Sequence, residues 1–358
     1  MKTSLPAARV STLISALLCF ATFSILTSGC SKLDEPAADL ASTAVQWTSV
    51  NQLGVAGKST IFSNIRVSKD GNVAMAGTTT ANLDTFNPQA SAAIGTQDGM
   101  VVQYAPNGAK AWARQVGVAG YSVDNTVTTV DASGNVFLVG TTDGNLATAA
   151  GGAATGTKDI FINKYDSAGT LAWSKQFGVA ATTTVANAVA VDSSGNAYIT
   201  GKTNANLETG AGASTGTFEG FTMKLAAATG AQTYVTQEGK TAGVTTVGHG
   251  IAVDPSGNVL VAGETNGDLD GGGLRGTNDG VVIKYDVSDA TGKTKKWTKQ
   301  EGVSGSTTSF ESVDSDGNGH VVVSGSTTGN HVTGTGASTG LIDAVTTEFD
   351  NDATGTQL

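Results

Sequence analysis

Five times along the chain an aromatic residue opens a segment of similar length. Trp47, Trp112, Trp173, Tyr234 and Trp297 stand 65, 61, 61 and 63 residues apart. Three of the segments open almost identically, as Trp112-Ala-Arg-Gln-Val-Gly, Trp173-Ser-Lys-Gln-Phe-Gly and Trp297-Thr-Lys-Gln-Glu-Gly. Each then carries a turn: Ser68-Lys-Asp-Gly-Asn72, Asp131-Ala-Ser-Gly-Asn135, Asp192-Ser-Ser-Gly-Asn196, Asp254-Pro-Ser-Gly-Asn258 and Asp316-Gly-Asn-Gly-His320. Five residues beyond each turn sits a glycine: Gly77, Gly140, Gly201, Gly263 and Gly325. A period near 62 residues marks one supersecondary unit, which buries its apolar faces only against its neighbours.

Each unit holds four short β-like runs. In the third they are 173–177, 188–192, 197–200 and 220–225, rich in β-branched and aromatic residues and separated by Gly, Asn, Asp and Ser. The Asp-x-x-Gly-Asn turn has a physical basis. Asp hydrogen-bonds its own downstream backbone, and Gly and Asn tolerate positive φ. No helical periodicity runs through the repeats, and only 14% of residues are charged while 48 are glycine, which excludes a coiled coil and a charged disordered chain. The reading is all-β: a β-propeller of five four-stranded blades covering residues 47–358. An open β-solenoid is the competing arrangement, but neither end repeat reads as the polar cap that a solenoid needs.

The W-x-K-Q-x-G opening, the V-D-x-S-G-N turn and the D-x-x-x-x-K-Y-D ending (Asp159 to Asp166, Asp279 to Asp286) resemble the bacterial β-propeller repeat family called SBBP. The family's name implies seven blades, and this chain has five repeats. The resemblance implies that the Val-Ala-Val-Asp run is the innermost strand. Blade one then runs from Asn64 through Gln115, and the last blade, from near Ser309, supplies three strands. Its fourth is expected from Trp47 to Val50, pairing with Val345 to Phe349 and latching the circle. Trp47, Trp112, Trp173, Tyr234 and Trp297 are expected as packing anchors between blades.

The first residues read as an address. Lys2 and Arg9 precede an uncharged apolar run, Val10 to Leu26, and then Thr27-Ser28-Gly29-Cys30. This resembles a bacterial lipoprotein signal, with 1–29 removed, Cys30 lipidated and 30–46 a flexible tether. An uncleaved helical anchor is the alternative, since Val10 to Gly29 suffices to span a bilayer. The two cysteines are Cys19 and Cys30, so lipidation leaves the mature chain with no disulfide. Loss of the segment takes the net charge from −10 to −12, which argues against nucleic acid as a partner. Ser31 rather than Asp after the Cys implies the cell outer membrane.

No catalytic constellation, cofactor motif or metal-ligand spacing stands out. Asp314-Ser-Asp316-Gly-Asn318-Gly319 resembles the start of a calcium loop, but its twelfth position is Gly325 where a bidentate Glu is needed. Loop acids Asp84, Glu208, Asp268 and Asp270 leave a cation-binding face open as an alternative to solvated turns. Ser63, Thr126, Asn187, His249 and Glu311 occupy equivalent places before the turn and form the candidate binding ring at a channel mouth. His320 and His331 receive no role. The segment Tyr165 to Trp173 also resembles quinoprotein-type propellers, whose cysteine pair and cofactor cage are missing here. The expectation is a lipid-anchored, non-catalytic envelope module that binds a protein or glycan. The alternatives are a quinoprotein-like enzyme and a calcium-dependent surface adhesin. Metabolic labelling with a fatty-acid analogue should tag the wild-type chain and fail for Cys30→Ser; equal labelling of both would remove the lipoprotein reading.

Overall fold

The computed structural model describes residues 52–83, 94–146, 156–208, 216–286, 288–292, 294–316, 320–331, 341–350, 355 and 357. Among them there is no helix, and nineteen strands form five antiparallel sheets. Sheet one is β1 (Thr60–Val67), β2 (Val73–Thr79), β3 (Asp98–Tyr104) and β4 (Lys110–Val116). Sheet two is β5 (Val123–Val130), β6 (Val136–Thr142), β7 (Asp159–Tyr165) and β8 (Leu171–Phe177). Sheet three is β9 (Thr184–Val191), β10 (Ala197–Thr203), β11 (Glu219–Leu225) and β12 (Gln232–Glu238). Sheet four is β13 (Thr246–Val253), β14 (Val259–Thr265), β15 (Asp279–Tyr285) and β16 (Lys295–Glu301). Sheet five is β17 (Thr308–Ser315), β18 (His320–Thr327) and β19 (Asp343–Asp350). In every sheet neighbouring strands follow chain order. The Trp-bearing strand therefore ends one sheet rather than opening the next. Sheet five has three strands, and its expected partner at Trp47 to Val50 lies outside the described residues. Gln357 bridges Phe349 on the outer side of β19.

The first strand of each sheet is interrupted at one place. Phe62 pairs with Gly77 and Asn64 with Ala76, which leaves Ser63 unpaired. The same shift leaves out Asn187, His249 and Glu311 opposite Gly201, Gly263 and Gly325. In sheet two it leaves out Asn125 and Thr126, and Asn125 takes a positive φ of 51°. These are β-bulges, which bend a strand and re-aim a side chain. A Cβ on Gly77, Gly201, Gly263 or Gly325 would collide with the carbonyl oxygen of Ile61, Val185, Val247 or Ser309 respectively. The repeat glycine is thus a close-approach residue for the bulge. The bulge also corrects where these strands begin. β9 starts at Thr184, not Ala188, because the extra residue at Asn187 breaks the alternation that would have marked the earlier half as strand.

Successive sheets are stapled at the start of their third strands. The amide of Val123 donates to the carbonyl of Gln97, and Thr184, Thr246 and Thr308 donate likewise to Lys158, Phe218 and Asn278, each at 2.9 Å. Apolar faces fill the space between sheets. Phe137, Val139, Ile160 and Ile162 pack on Ala197, Ile199, Phe221 and Met223; Leu260, Ala262 and Val282 pack on Val321, Val323 and Phe349. Trp112 crosses to the next sheet, donating from Nε1 to the Ser167 carbonyl at 3.1 Å with its ring 6.0 Å from that of Tyr165. Trp173 donates likewise to Ala227. Gly169, Gly230, Gly292 and Gly355, all at positive φ, lie against the rings of Trp112, Trp173, Tyr234 and Trp297. Trp47 lies outside the described residues.

The Asp-x-x-Gly-Asn turns consume their own carboxylates. Asp254 Oδ1 accepts from the Asn258 amide and Oδ2 from Asn258 Nδ2, with Lys284 Nζ at 3.1 Å from Oδ2. Burial pushes the Asp254 carboxyl up, but the hydrogen bonds from Asn258 and Lys284 outweigh it and hold the group below the ordinary carboxylate range. Lys164 and Lys224 face Asp131 and Asp192 in the same way. The bulge glycine gives the sharpest test of this fold. Gly263→Ala should cost about 1–3 kcal/mol or more by forcing backbone apart, whereas Gly54→Ala, with nothing within 4 Å of the added Cβ, should stay within about 0.5 kcal/mol. Denaturant midpoints of the two variants decide it.

Candidate functional site

The five first strands converge on one cavity of about 370 Å³. Its wall includes Ser63, Asn64 and Arg66 from β1, Asn187 from β9, His249 from β13 and Glu311 from β17. Thr126 is buried beside it rather than in the described wall. The structure thus brings the ring residues together, and it places them at bulges within the strands, not at strand starts.

Bulged side chains reach the neighbouring sheet. Ser63 Oγ donates to the Thr126 carbonyl at 2.6 Å and lies 3.3 Å from Thr126 Oγ1. Asn187 Nδ2 donates to the Gly248 carbonyl at 2.9 Å. His249 Nδ1 faces Glu311 Oε2 at 3.6 Å, and Glu311 Oε1 accepts from Ser309 Oγ at 2.7 Å. On its other side His249 Nε2 stands 3.8 Å from Glu264 Oε1 and is buried without a hydrogen-bond partner. The imidazole is the main cause that holds the Glu264 carboxyl below its ordinary range, against burial, with Asn278 and Ser309 helping. The two ring nitrogens face carboxylates on opposite sides, a geometry that holds an imidazole between acids and does not converge on a shared metal position. Among the described residues no group of three or more His, Cys, Asp or Glu side chains is placed to hold a metal.

The loop acids do not gather. Glu208 pairs with Lys240 at 2.7 Å and accepts the Gln237 amide. Asp270 pairs with Arg275 at 3.0 Å, while Asp268 caps the Gly271 amide. Asp84 lies outside the described residues, as does Cys30. Asp314 sits within β17, four positions past the Phe310 side of the bulge, and residues 317–319 of the calcium-like loop are not described.

Two features escaped sequence reading. The first is a buried brace in each of sheets one to four. Asp98 accepts Gln115 Nε2 at 2.6 Å and the amides of Ile94 and Gly95 at 2.7 Å. Gln115 also receives the Leu83 amide on Oε1 and donates to the Ala81 carbonyl. Asp159 with Gln176, Glu219 with Gln237 and Asp279 with Gln300 repeat the pairing. Leu83, Leu146, Leu207 and Leu269, each preceded by Asn or Asp, donate their amides to the Oε1 of the strand-four glutamine and so dock the loop on it. The final Gly of W-x-K-Q-x-G is also explained: a Cβ on Gly117, Gly178 or Gly302 would strike the buried Asp98, Asp159 or Asp279. The second feature is in sheet five. There His320 replaces the turn Asn and Glu348 occupies the place of the Lys, with His320 Nδ1 3.1 Å from Asp316 and 3.5 Å from Glu348.

The hydrogen bond to Asp316 raises His320 above its ordinary value of 6.5, and the charges of Asp316, Glu348 and Asp350 add to it. A group raised on folding stabilises fully below its unfolded value and loses that contribution as pH climbs through the folded one. The contribution of His320 to the melting temperature should therefore be complete below its ordinary value of 6.5 and be lost as pH rises above it. His320→Asn, which restores the turn residue of the other sheets, should flatten that slope; an unchanged slope removes the assignment.

Three segments, residues 111–147, 172–208 and 233–270, match the family model described as SBBP, beta-propeller repeat. Each match starts in a Trp- or Tyr-bearing fourth strand and runs through the first two strands of the next sheet, so the sequence repeat is out of phase with the sheet. The chain carries β-propeller repeats. No curated protein matches it in sequence. Among solved structures it is similar to hydrazine synthase of Kuenenia stuttgartiensis, at 13% identity and a TM-score of 0.43, over 81% of this chain and 63% of that one. It is also similar to a protein of unknown function from Dyadobacter fermentans, at 11% and 0.41, over 76% and 80% of the two chains. A third is an α-L-arabinanase of Penicillium chrysogenum, at 11% and 0.43, over 83% and 82%. At these identities and scores no residue role and no activity transfers to this chain.

Proposed function

We propose that the chain is a binding module of the bacterial cell envelope. It is a five-bladed β-propeller, closed by residues near Trp47 pairing with β19 and anchored in the outer membrane through lipid on Cys30. It acts on its partner, a protein or glycan, by holding it. The observation that carries this reading is the set of five bulges. From four of the sheets one backbone device aims a different polar side chain, Ser63, Asn187, His249 or Glu311, at the same axial cavity, and in sheet two the bulged Thr126 is buried beside it. A repeat that keeps its frame while varying only the aimed residue is built to present a surface. His249 and Glu311 stand too far apart for a hydrogen bond, and the hydroxyl next to them, Ser309 Oγ, gives its proton to Glu311 Oε1. The module reading therefore takes them as binding groups.

The test is a pull-down from detergent-solubilised membranes with the full chain and with a copy lacking residues 1–46. Enrichment of the same envelope component by both supports a holding role for the propeller. Turnover of an alcohol by the chain with an added quinone cofactor would replace that role with an enzymatic one.

A further inference from the structure

Resting on the module reading, we propose that the axial cavity takes a neutral, hydroxyl-rich ligand the size of one sugar residue. At about 370 Å³ the space lies at the small end of the roughly 300–1,000 Å³ range of small-molecule sites. The wall pairs opposite charges. Arg66 enters from β1 and Glu311 from β17, with Glu264 behind His249. Arg66 spends Nη1 on the Ile65 carbonyl and makes no ion pair among the described residues. Its remaining N–H groups are a donor fork. Glu311 keeps Oε2, held 3.6 Å from His249, and Asn187, with Nδ2 given to Gly248, keeps its amide oxygen.

Donors and acceptors therefore alternate around one space, and a hydroxyl is the group that both gives and takes a hydrogen bond. An anion would meet Glu311, and a cation would meet Arg66; a neutral polyol meets neither penalty. Val189, Ile251 and Val313 stand behind the polar groups, buried in the packing between sheets, so the surface that a ligand meets is almost wholly polar, as a hydroxyl-rich ligand requires. No aromatic side chain is among the described wall residues, so a flat hydrophobic ligand has nothing to stack on.

The experiment is calorimetric titration of the full chain, in a detergent without a sugar head group, with glucose, galactose, N-acetylglucosamine and their disaccharides. Inorganic phosphate and glycine serve as the anionic and zwitterionic probes. Saturable binding of at least one neutral sugar, weakened about tenfold or more in both Arg66→Ala and Glu311→Ala, is the expected result, each variant losing one charge-assisted hydrogen bond. Both side chains are exposed, so their melting temperatures should match the wild type, and a variant that melts early is replaced by Arg66→Gln or Glu311→Gln. Saturation by phosphate or glycine in preference to every sugar overturns the proposal. So does the lack of saturation by any sugar, or sugar binding that both variants leave unchanged. If the membrane pull-down still enriches its component in those variants while no sugar binds, the ligand class falls and the module reading stands.

Discussion

The approach of one strand to a glycine governs this molecule. At Gly77, Gly201, Gly263 and Gly325 the first strand of a sheet comes so near the second that no side chain fits between them. The space so gained lets the first strand carry one residue more than its partner. Without that extra residue a strict period-two strand would send the next polar side chain back between the sheets. With it, the polar group turns toward the shared cavity while the flanking apolar positions keep facing their neighbours. Val189, Ile251 and Val313 are each two residues past the bulge and are buried.

A chain with 14% charged residues must hold its sheets together by other means than surface ion pairs, which are worth about 0–1 kcal/mol each in any case. Here the work falls on repeated buried hydrogen bonds. The acid at the start of the third strand, the glutamine of the fourth and the loop between the second and third form one satisfied unit. Leaving any of its members buried and unpaired would cost about 1–3 kcal/mol or more. The residue just before the third strand then gives its carbonyl to the next sheet. The brace within a sheet and the staple between sheets meet at neighbouring residues, Gln97 and Asp98 in sheet one and Asn278 and Asp279 in sheet four. Order inside one sheet thus sets the position of the next.

Much of this was legible in the letters. Turn residues, β-branched runs and the spacing of Trp and Gly disclosed the four-strand unit, because each reports a local backbone need. The bulge was hidden for a physical reason. Its signature is a glycine on the opposite strand, and a glycine reports that something approaches without saying what. Asn187 and His249 then disturb the alternation that marks a strand, so the first half of β9 read as loop. The Gln–acid brace was hidden because its partners sit 17 to 21 residues apart and a sequence motif does not name a hydrogen bond across that distance. For the loop acids the letters left solvated turns and a cation face side by side, because a carboxylate's partner is not written beside it; Glu208 and Asp270 pair with Lys240 and Arg275.

The same geometry explains why the bulged residues differ while the frame repeats. A bulged residue pairs with nothing in the ladder, so its side chain is free of the strand-to-strand constraints that fix its neighbours. Ser63, Asn187, His249 and Glu311 vary in size and charge without disturbing the glycine opposite, whereas in sheet two the bulge takes in both Asn125 and Thr126 and leaves Gly140 out of the ladder. Three residues further on, the equivalent positions hold Arg66, Thr129, Ala190, Ala252 and Asp314. Charge at this second level therefore enters from the first and last sheets alone. The three sheets between them contribute small or neutral groups. In the cavity wall the strongest donor, Arg66 of this second level, stands in sheet one, and the strongest acceptor, Glu311 of the bulge level, stands in sheet five. The polarity of the cavity is a property of which repeats carry the charges, set on a bulge whose geometry sheets one, three, four and five share.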